Sequence, residues 1–168
     1  IGGDAIVLSE NGSGIISPLT DNNNGTYTAT ITNTVAEAIT ISGTLNTSAI
    51  TNTVNVTFIA GVADAAQSII TASPTSVLAD GATASTVTIQ TKDAQGNNLT
   101  TGGETIVLAQ DGSATLSGIT DVGDGTYTAN ATNLSVETVA ISGTLNGTSI
   151  TDLGSITFTP GAATTAQT

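Results

Sequence analysis

Apolar side chains alternate with Thr, Ser or Gln along most of the chain, at a period of two residues. The alternation is clearest in the segments TVTIQT, ETIVLAQ, GTYTANAT, ETVAISGTL and SITFT. A period of two places successive side chains on opposite faces of a β-strand, and the Thr, Val and Ile residues that dominate these segments favour pleated strands. No window shows convincing helical spacing. The pattern therefore predicts an all-β protein.

Turn-forming sequences separate the alternating segments. They are KDAQGNN, TTGG, QDGS, TDVGDG and LNGT, in which Gly, Asn and Asp supply the backbone conformations that tight turns need. Their spacing predicts a two-sheet sandwich with about seven strands per unit. The side chains that the alternation directs into the core of the whole unit are Val87, Ile89, Ile106, Leu108, Leu116, Ile119, Tyr127, Ala129, Val139, Ile141, Leu145, Ile150, Ile156 and Phe158.

The sequence repeats itself with a period of one hundred residues. Residues 1–68 align without a gap on residues 101–168, and about 32 of the 68 aligned positions are identical. One period is too long for a solenoid repeat and has the length of an autonomous sandwich domain. We therefore expect tandem immunoglobulin-like β-sandwiches, with an incomplete repeat at 1–64 that lacks its N-terminal strands and a complete repeat at 65–168.

The first unit has no counterpart of residues 69–100, which are expected to form about two strands. Without them, a sandwich of this size leaves a sheet edge and part of its core open. Two interpretations follow. Either the sequence is a slice of a longer array cut out of phase, or another chain or segment supplies the missing strands by strand addition.

Composition excludes several functional classes. Thirteen acidic residues and a single base, Lys92, give a net charge of -12, so neither nucleic acid nor an anionic membrane surface is an expected partner. The absence of Cys, Met, Trp and His removes thiol, haem-ligating and imidazole chemistry. No stretch has the length of a membrane-spanning helix, and no segment has the pattern of a signal peptide. We expect an exported bacterial or archaeal protein.

The sharpest motif is DVGDGTYTA at residues 121–129, which recurs as DNNNGTYTA at residues 21–29. Its Asp and Gly residues suit a tight turn. Tyr127 stands where immunoglobulin-like domains place a tyrosine whose hydroxyl bonds to upstream backbone. The motif therefore predicts a turn followed by a packed tyrosine.

The alternative interpretation of this motif is a calcium site formed by Asp121 and Asp124, because carboxylate and loop carbonyl oxygens are the ligands that calcium prefers. The first unit has Asp21 and Asn24 at these positions, which is one charge fewer. Neither copy has the acid that ends an EF-hand loop. We therefore predict no metal site.

Three other candidates are predicted to be structural. The glycine pairs within residues 2–5 and 102–105 lack the following helix that a phosphate-binding loop needs. Glu37 and Glu137 match between the units, but no second acid at a fixed spacing completes a glycosidase pair. Lys92, at a turn, is expected to be solvated. No catalytic or cofactor-binding residue is predicted.

Four segments of the second unit stand in a specific order and spacing: the ASPTSVLADG opening, the KDAQGN turn, the DGTYTA motif and the TFTPG end. In these segments the chain resembles the bacterial immunoglobulin-like repeats of the invasin and intimin type. The resemblance covers the whole second unit and the first unit as far as it extends. It implies a rod-like stalk of tandem sandwiches on a bacterial surface. Nothing in the sequence resembles the separate, lectin-like tip with which that family binds receptors.

We expect one of two non-enzymatic functions. The first is a structural spacer repeat of a bacterial cell-surface adhesin, whose partners are neighbouring repeats and whose receptor is bound by a tip outside this segment. The alternative is a repeat subunit of a self-assembling extracellular filament, in which one chain completes the fold of the next by strand addition. Both functions place the protein outside the cell, and neither requires a cofactor.

Overall fold

The computed structural model describes residues 2–162, in which all regular secondary structure is β-strand. This confirms the all-β fold that the alternation predicts. The chain divides into two compact units, Ile1–Ala60 and Gly61–Thr168. The strand that begins at Ala63 belongs to the second unit.

The first unit contains short strands. They are β1 (Ile6–Glu10), β2 (Ile15–Ile16), β3 (Thr20–Asp21), β4 (Tyr27–Thr28), β5 (Ile31–Thr32), β6 (Ala38–Leu45), β7 (Ser48–Ala49) and β8 (Val54–Thr57). Strand β6 pairs antiparallel with β1, β7 and β8. Two small antiparallel pairs, β2 with β5 and β3 with β4, make up the remaining described pairing of this unit.

The second unit contains two five-stranded sheets. Its strands are β9 (Ala63–Ser73), β10 (Ser76–Leu78), β11 (Ser85–Asp93), β12 (Ile106–Gln110), β13 (Thr115–Leu116), β14 (Thr120–Asp121), β15 (Thr126–Thr132), β16 (Glu137–Leu145), β17 (Thr148–Ser149) and β18 (Gly154–Thr159). One sheet has the order β10-β18-β16-β12, with β17 also on β16. The other has the order β13-β15-β11-β9, with β14 also on β15.

The chain crosses from one sheet to the other between β9 and β10. Strand β9 pairs antiparallel with β11, whereas β10 pairs parallel with β18 in the opposite sheet. Strand β11 lies between β9 and β15, and opposite residues such as Val87 and Ala129 face each other in its register with β15. Segment 63–93 therefore contributes strands to both layers of the sandwich.

The core of the second unit lies between these two sheets. Eleven of the fourteen predicted inward side chains are buried, and the other three, Leu108, Leu116 and Ile119, are half-buried and pack against the same core. The buried cluster also includes side chains that the alternation did not identify: Ala65, Ile70, Val77, Ala114 and Ala131. Full burial of each large aliphatic or aromatic side chain contributes roughly 1.5 to 3 kcal/mol.

The first unit buries much less of the same apolar set. Leu145 is 2% exposed, whereas Leu45, one period earlier, is 42% exposed; Ile150 and Ile50 differ in the same way, at 4% and 39%. In the second unit, strand β9 packs against β16, β17 and β18. Residues 1–60 contain no counterpart of β9, so the matching strands of the first unit are left without that cover.

Candidate functional site

The GTYTA sequence shared by the two units forms a turn followed by a tyrosine, which is buried in the second unit and half-buried in the first. Tyr127 lies on β15, is 1% exposed, and its hydroxyl accepts a hydrogen bond from the backbone N–H of Glu104 at 2.8 Å. Burial raises the pKa of Tyr127, and the nearby charges of Asp121 and Glu104 add to this shift. In the first unit, the hydroxyl of Tyr27 accepts from the N–H of Asp4 at the same distance. Each tyrosine hydroxyl thus holds the loop that precedes a strand: β12 in the second unit and β1 in the first.

Asp121 and Asp124 are both engaged with backbone donors. Asp121 accepts from the N–H groups of Gly103 and Gly123, each at 2.8 Å. Asp124 accepts from the backbone N–H of Thr126 at 3.0 Å and from its hydroxyl at 2.5 Å. The Thr126 hydroxyl is the main reason why the pKa of Asp124 is lowered. These contacts are those of a carboxylate-capped turn.

The first unit preserves this geometry with one carboxylate fewer. Asn24 accepts from the backbone N–H of Thr26 at 3.0 Å and from its hydroxyl at 2.6 Å, as Asp124 does from Thr126. The turn therefore needs an oxygen acceptor at this position and not a negative charge. No group of three or more acidic, His or Cys side chains within residues 2–162 is arranged to hold a metal ion.

The glycine pair that precedes β12 packs against the Asp121 carboxylate. A side chain on Gly102 would collide with that carboxylate, and Gly103 has a φ of 110°, which side-chain-bearing residues rarely adopt. Gly2 and Gly3 repeat both features beside Asp21. The paired glycines accordingly serve close backbone approach in both units.

Glu137 joins the start of β16 to two loops. It accepts from the backbone N–H of Ser113 at 2.8 Å, from the hydroxyl of Ser113 at 2.5 Å and from the side-chain amide of Asn133 at 2.7 Å. These hydrogen bonds, that of the Ser113 hydroxyl first, lower the pKa of Glu137. A general acid requires a raised pKa. The Ser113 hydroxyl, with Glu137 and Asn133 as its partners, has no imidazole or amine base that would activate it as a nucleophile.

Two further carboxylates hold turns of the second unit. Asp80 accepts from the N–H groups of Ala82 and Thr83, at 2.8 Å and 2.6 Å, and from the Thr83 hydroxyl at 2.7 Å. Asp93 is 2% exposed and accepts from Asn97, Gln95 and Gly61. The hydrogen bonds from the Thr83 hydroxyl and from the Asn97 side chain, respectively, are the leading causes that lower the pKa of each to about 2.

Asp93 was not identified from the sequence, where it appears only as part of the KDAQGNN turn signal. An Asp next to a Lys at a turn is usually exposed, and the convergence of three residues on one carboxylate depends on the tertiary fold. The sequence signal for its burial is its position at the end of an alternating strand. It lies on the same inward face as Val87, Ile89 and Thr91.

The chain matches one family model, described as Invasin, domain 3, over residues 1–61 and 64–161. It is similar over its whole length to InvD of Yersinia pseudotuberculosis, with 31% identity, a TM-score of 0.62 and coverage of 50% of that chain. It is also similar to FdeC, an Escherichia coli adhesin, with 28% identity, a TM-score of 0.64, and coverage of 98% of this chain and 55% of that one.

A third similar structure is invasin, a bacterial integrin-binding protein, with 26% identity and a TM-score of 0.55; the match covers 93% of this chain and 32% of that one. The chain thus spans about half the length of the InvD and FdeC structures. No curated protein matches it significantly. The part of the chain that the structure describes has no helix with the length and hydropathy needed to cross a membrane.

Replacement of Gly102 by Ala is expected to lower the free energy of unfolding of the second unit by about 1 to 3 kcal/mol, because the methyl group displaces the Asp121 carboxylate from its turn. Gly118→Ala is the matched control, since no atom lies within 4 Å of its added methyl group. Urea unfolding followed by NMR measures both variants. Equal stability of the two variants would contradict the packing role of Gly102.

The free energy of unfolding of the second unit is expected to fall as the pH is lowered from about 5 to about 2. The folded-state pKa values of Asp80 and Asp93, about 2, lie below the ordinary value of 3.8, so their stabilisation is present at neutral pH and is lost as the folded carboxylates are protonated. Urea titrations at several pH values measure this slope. The double variant Asp80→Asn/Asp93→Asn should flatten it, and a wild-type stability that stays constant over this range would refute the prediction.

Proposed function

Because the chain belongs to the invasin domain 3 family, we propose that it is a non-catalytic spacer segment of a bacterial cell-surface adhesin, built from tandem sandwich units. Its place is outside the cell. Its partners are neighbouring repeats of the same array, and receptor contact is made by another part of the whole protein.

One observation carries this proposal: the polar residues shared by the two units form hydrogen bonds within their own unit. Asp121, Tyr127 and Glu137 each accept hydrogen bonds from loops of their own unit, and Asp21, Tyr27 and Glu37 do the same one period earlier. The side-chain oxygens of Asn146 and Asn46 likewise accept from backbone N–H groups at 2.9 Å. The polar residues that are identical in the two units therefore maintain the fold. A spacer needs nothing more from its side chains.

The charge of the chain supports the same function. With thirteen acidic residues and one base, the units repel one another, which opposes self-association and favours an extended string. The scarcity of basic residues also leaves few sites for proteases that cleave after Lys or Arg.

Small-angle X-ray scattering on a chain with two, three and four copies of the hundred-residue period tests the spacer function. We expect the maximum dimension to increase in proportion to the number of units, as it does for a rod. A compact profile, or a random-coil dependence on length, would overturn the proposal.

A second candidate function is a filament subunit completed by strand exchange between chains. The specific observation in its favour is the uncovered apolar set of the first unit, in which Leu45 and Ile50 are exposed by 42% and 39%. In addition, Ala129 pairs with Val87 of β11, whereas its counterpart Ala29 has no strand partner within the described residues. An extended segment that resembles β11 would fit this edge.

Analytical ultracentrifugation of the 168-residue chain over a range of concentrations separates the two functions. The spacer function predicts a monomer throughout, and the filament function predicts polymers that grow with concentration. Ala29→Pro would abolish such polymers because proline blocks pairing at the open edge, whereas the control Thr53→Pro, in an exposed loop of the same unit, would leave them intact.

A further inference from the structure

The segment that joins the two units is held by two backbone hydrogen bonds, one to each unit, with only two residues between them. The backbone N–H of Phe58 donates to the carbonyl of Glu37 in the first unit at 2.8 Å. The backbone N–H of Gly61 donates to the carboxylate of Asp93 in the second unit, also at 2.8 Å. Only Ile59 and Ala60 lie between these two anchored residues. Neither has a hydrogen-bond partner within the described residues.

Asp93 is suited to hold the incoming chain because its carboxylate cannot easily turn away. It is 2% exposed, and the side-chain amide of Asn97 donates to both of its oxygens, at 3.2 Å and 2.9 Å. The backbone N–H groups of Gln95 and Asn97 donate to Oδ1 at 3.0 Å and 2.9 Å, which leaves Oδ2 to accept from Gly61. Hydrogen bonds to an ionised acceptor are stronger than those between neutral groups.

The chain is fixed to the second unit from this point onwards. Ala63 is paired with Asp93 itself, and Asp64 with Lys92, at the start of β9. The register shifts between Gln90 and Lys92, and the buried hydroxyl of Ser68 compensates by accepting from the N–H of Lys92 at 3.0 Å and donating to the carbonyl of Asp64 at 2.7 Å. The Asp93–Gly61 bond thus extends the anchored region of β9 by two residues towards the first unit.

The acceptor for Gly61 comes from a different part of the chain. Asp93 ends β11, 32 residues after the glycine, so the bond forms only when β11 is in place in the second unit.

We propose that Asp93 is a positioning residue for the linker, whose buried carboxylate recognises the backbone N–H of Gly61 and restricts the free part of the linker to Ile59 and Ala60. This inference deepens the proposed spacer function, on which it rests for its biological meaning. A string of sandwiches transmits direction only if few linker residues are free to rotate.

The first test needs no substitution. Amide hydrogen exchange by NMR on the full chain should find Gly61 protected at least about tenfold more than Ile59 and Ala60, in line with one charge-assisted hydrogen bond. Exchange at Gly61 as fast as at Ala60 would overturn the proposal.

The second test removes the carboxylate. Asp93→Ala should abolish the protection of Gly61 and broaden the distribution of distances between spin labels placed at Thr53→Cys and Thr138→Cys, one in each unit. The chain has no native Cys, so these labels are specific. The control is Asp80→Ala, which removes a turn-capping carboxylate of the same unit with no contact to Gly61. It should change neither readout.

Two outcomes of the second test contradict the inference: unchanged Gly61 protection in Asp93→Ala, or equal broadening in Asp80→Ala. If Asp93→Ala does not fold, Asn97→Ala retains the carboxylate but removes the side-chain amide that donates to both of its oxygens, and should lower Gly61 protection to a smaller extent. The two proposals can fail separately. If Gly61 is protected but the scattering is not that of a rod, only the spacer function is contradicted.

Discussion

The packing of segment 63–93 across both sheets is the interaction on which the rest of the second unit depends. Strand β11 provides the inward side chains Val87 and Ile89, both fully buried, and β9 covers β16, β17 and β18 from the other layer. The same segment carries Ile70, which is 2% exposed and lies against Gly143 and Gly154 in the opposite sheet. In the first unit, where residues 1–60 hold no such segment, the matching strands are paired but their apolar side chains, such as Leu45 and Ile50, are more exposed.

Closure changes the burial of the polar contacts. The hydroxyls of Tyr127 and Tyr27 make the same backbone hydrogen bond, but Tyr127, on a strand paired with β11, is buried, whereas Tyr27 is half-buried. Asp93 can remain ionised in a buried position because Gly61, Gln95 and Asn97 donate hydrogen bonds to its carboxylate at the end of β11. In a domain organised in this way, the polar side chains of the repeated motifs form hydrogen bonds with loops of the same domain. This accounts for a family member with recognisable motifs and no catalytic constellation in the described residues.

The sequence predicted the strands and most of the core, because alternation is a direct consequence of burial on one face. It overestimated the burial of Leu116 and Ile119, since the strands around them are only two residues long and lie at the edge of the sheet. It missed Ile70 because the neighbouring Ile69 breaks the alternation. The repeat defines a period but not where one fold ends, and the strand that begins at Ala63 is visible only in the structure.

Native-state hydrogen exchange, compared strand by strand between the two units, tests most directly whether segment 63–93 closes the fold. The comparison is between matched amides of β16 and β6, such as those of Ile141 and Ile41, which have antiparallel partners at the same register positions. We predict that the β16 amides exchange only through global unfolding of the second unit, and that the β6 amides exchange orders of magnitude faster. Equal protection of the two strands would contradict this account.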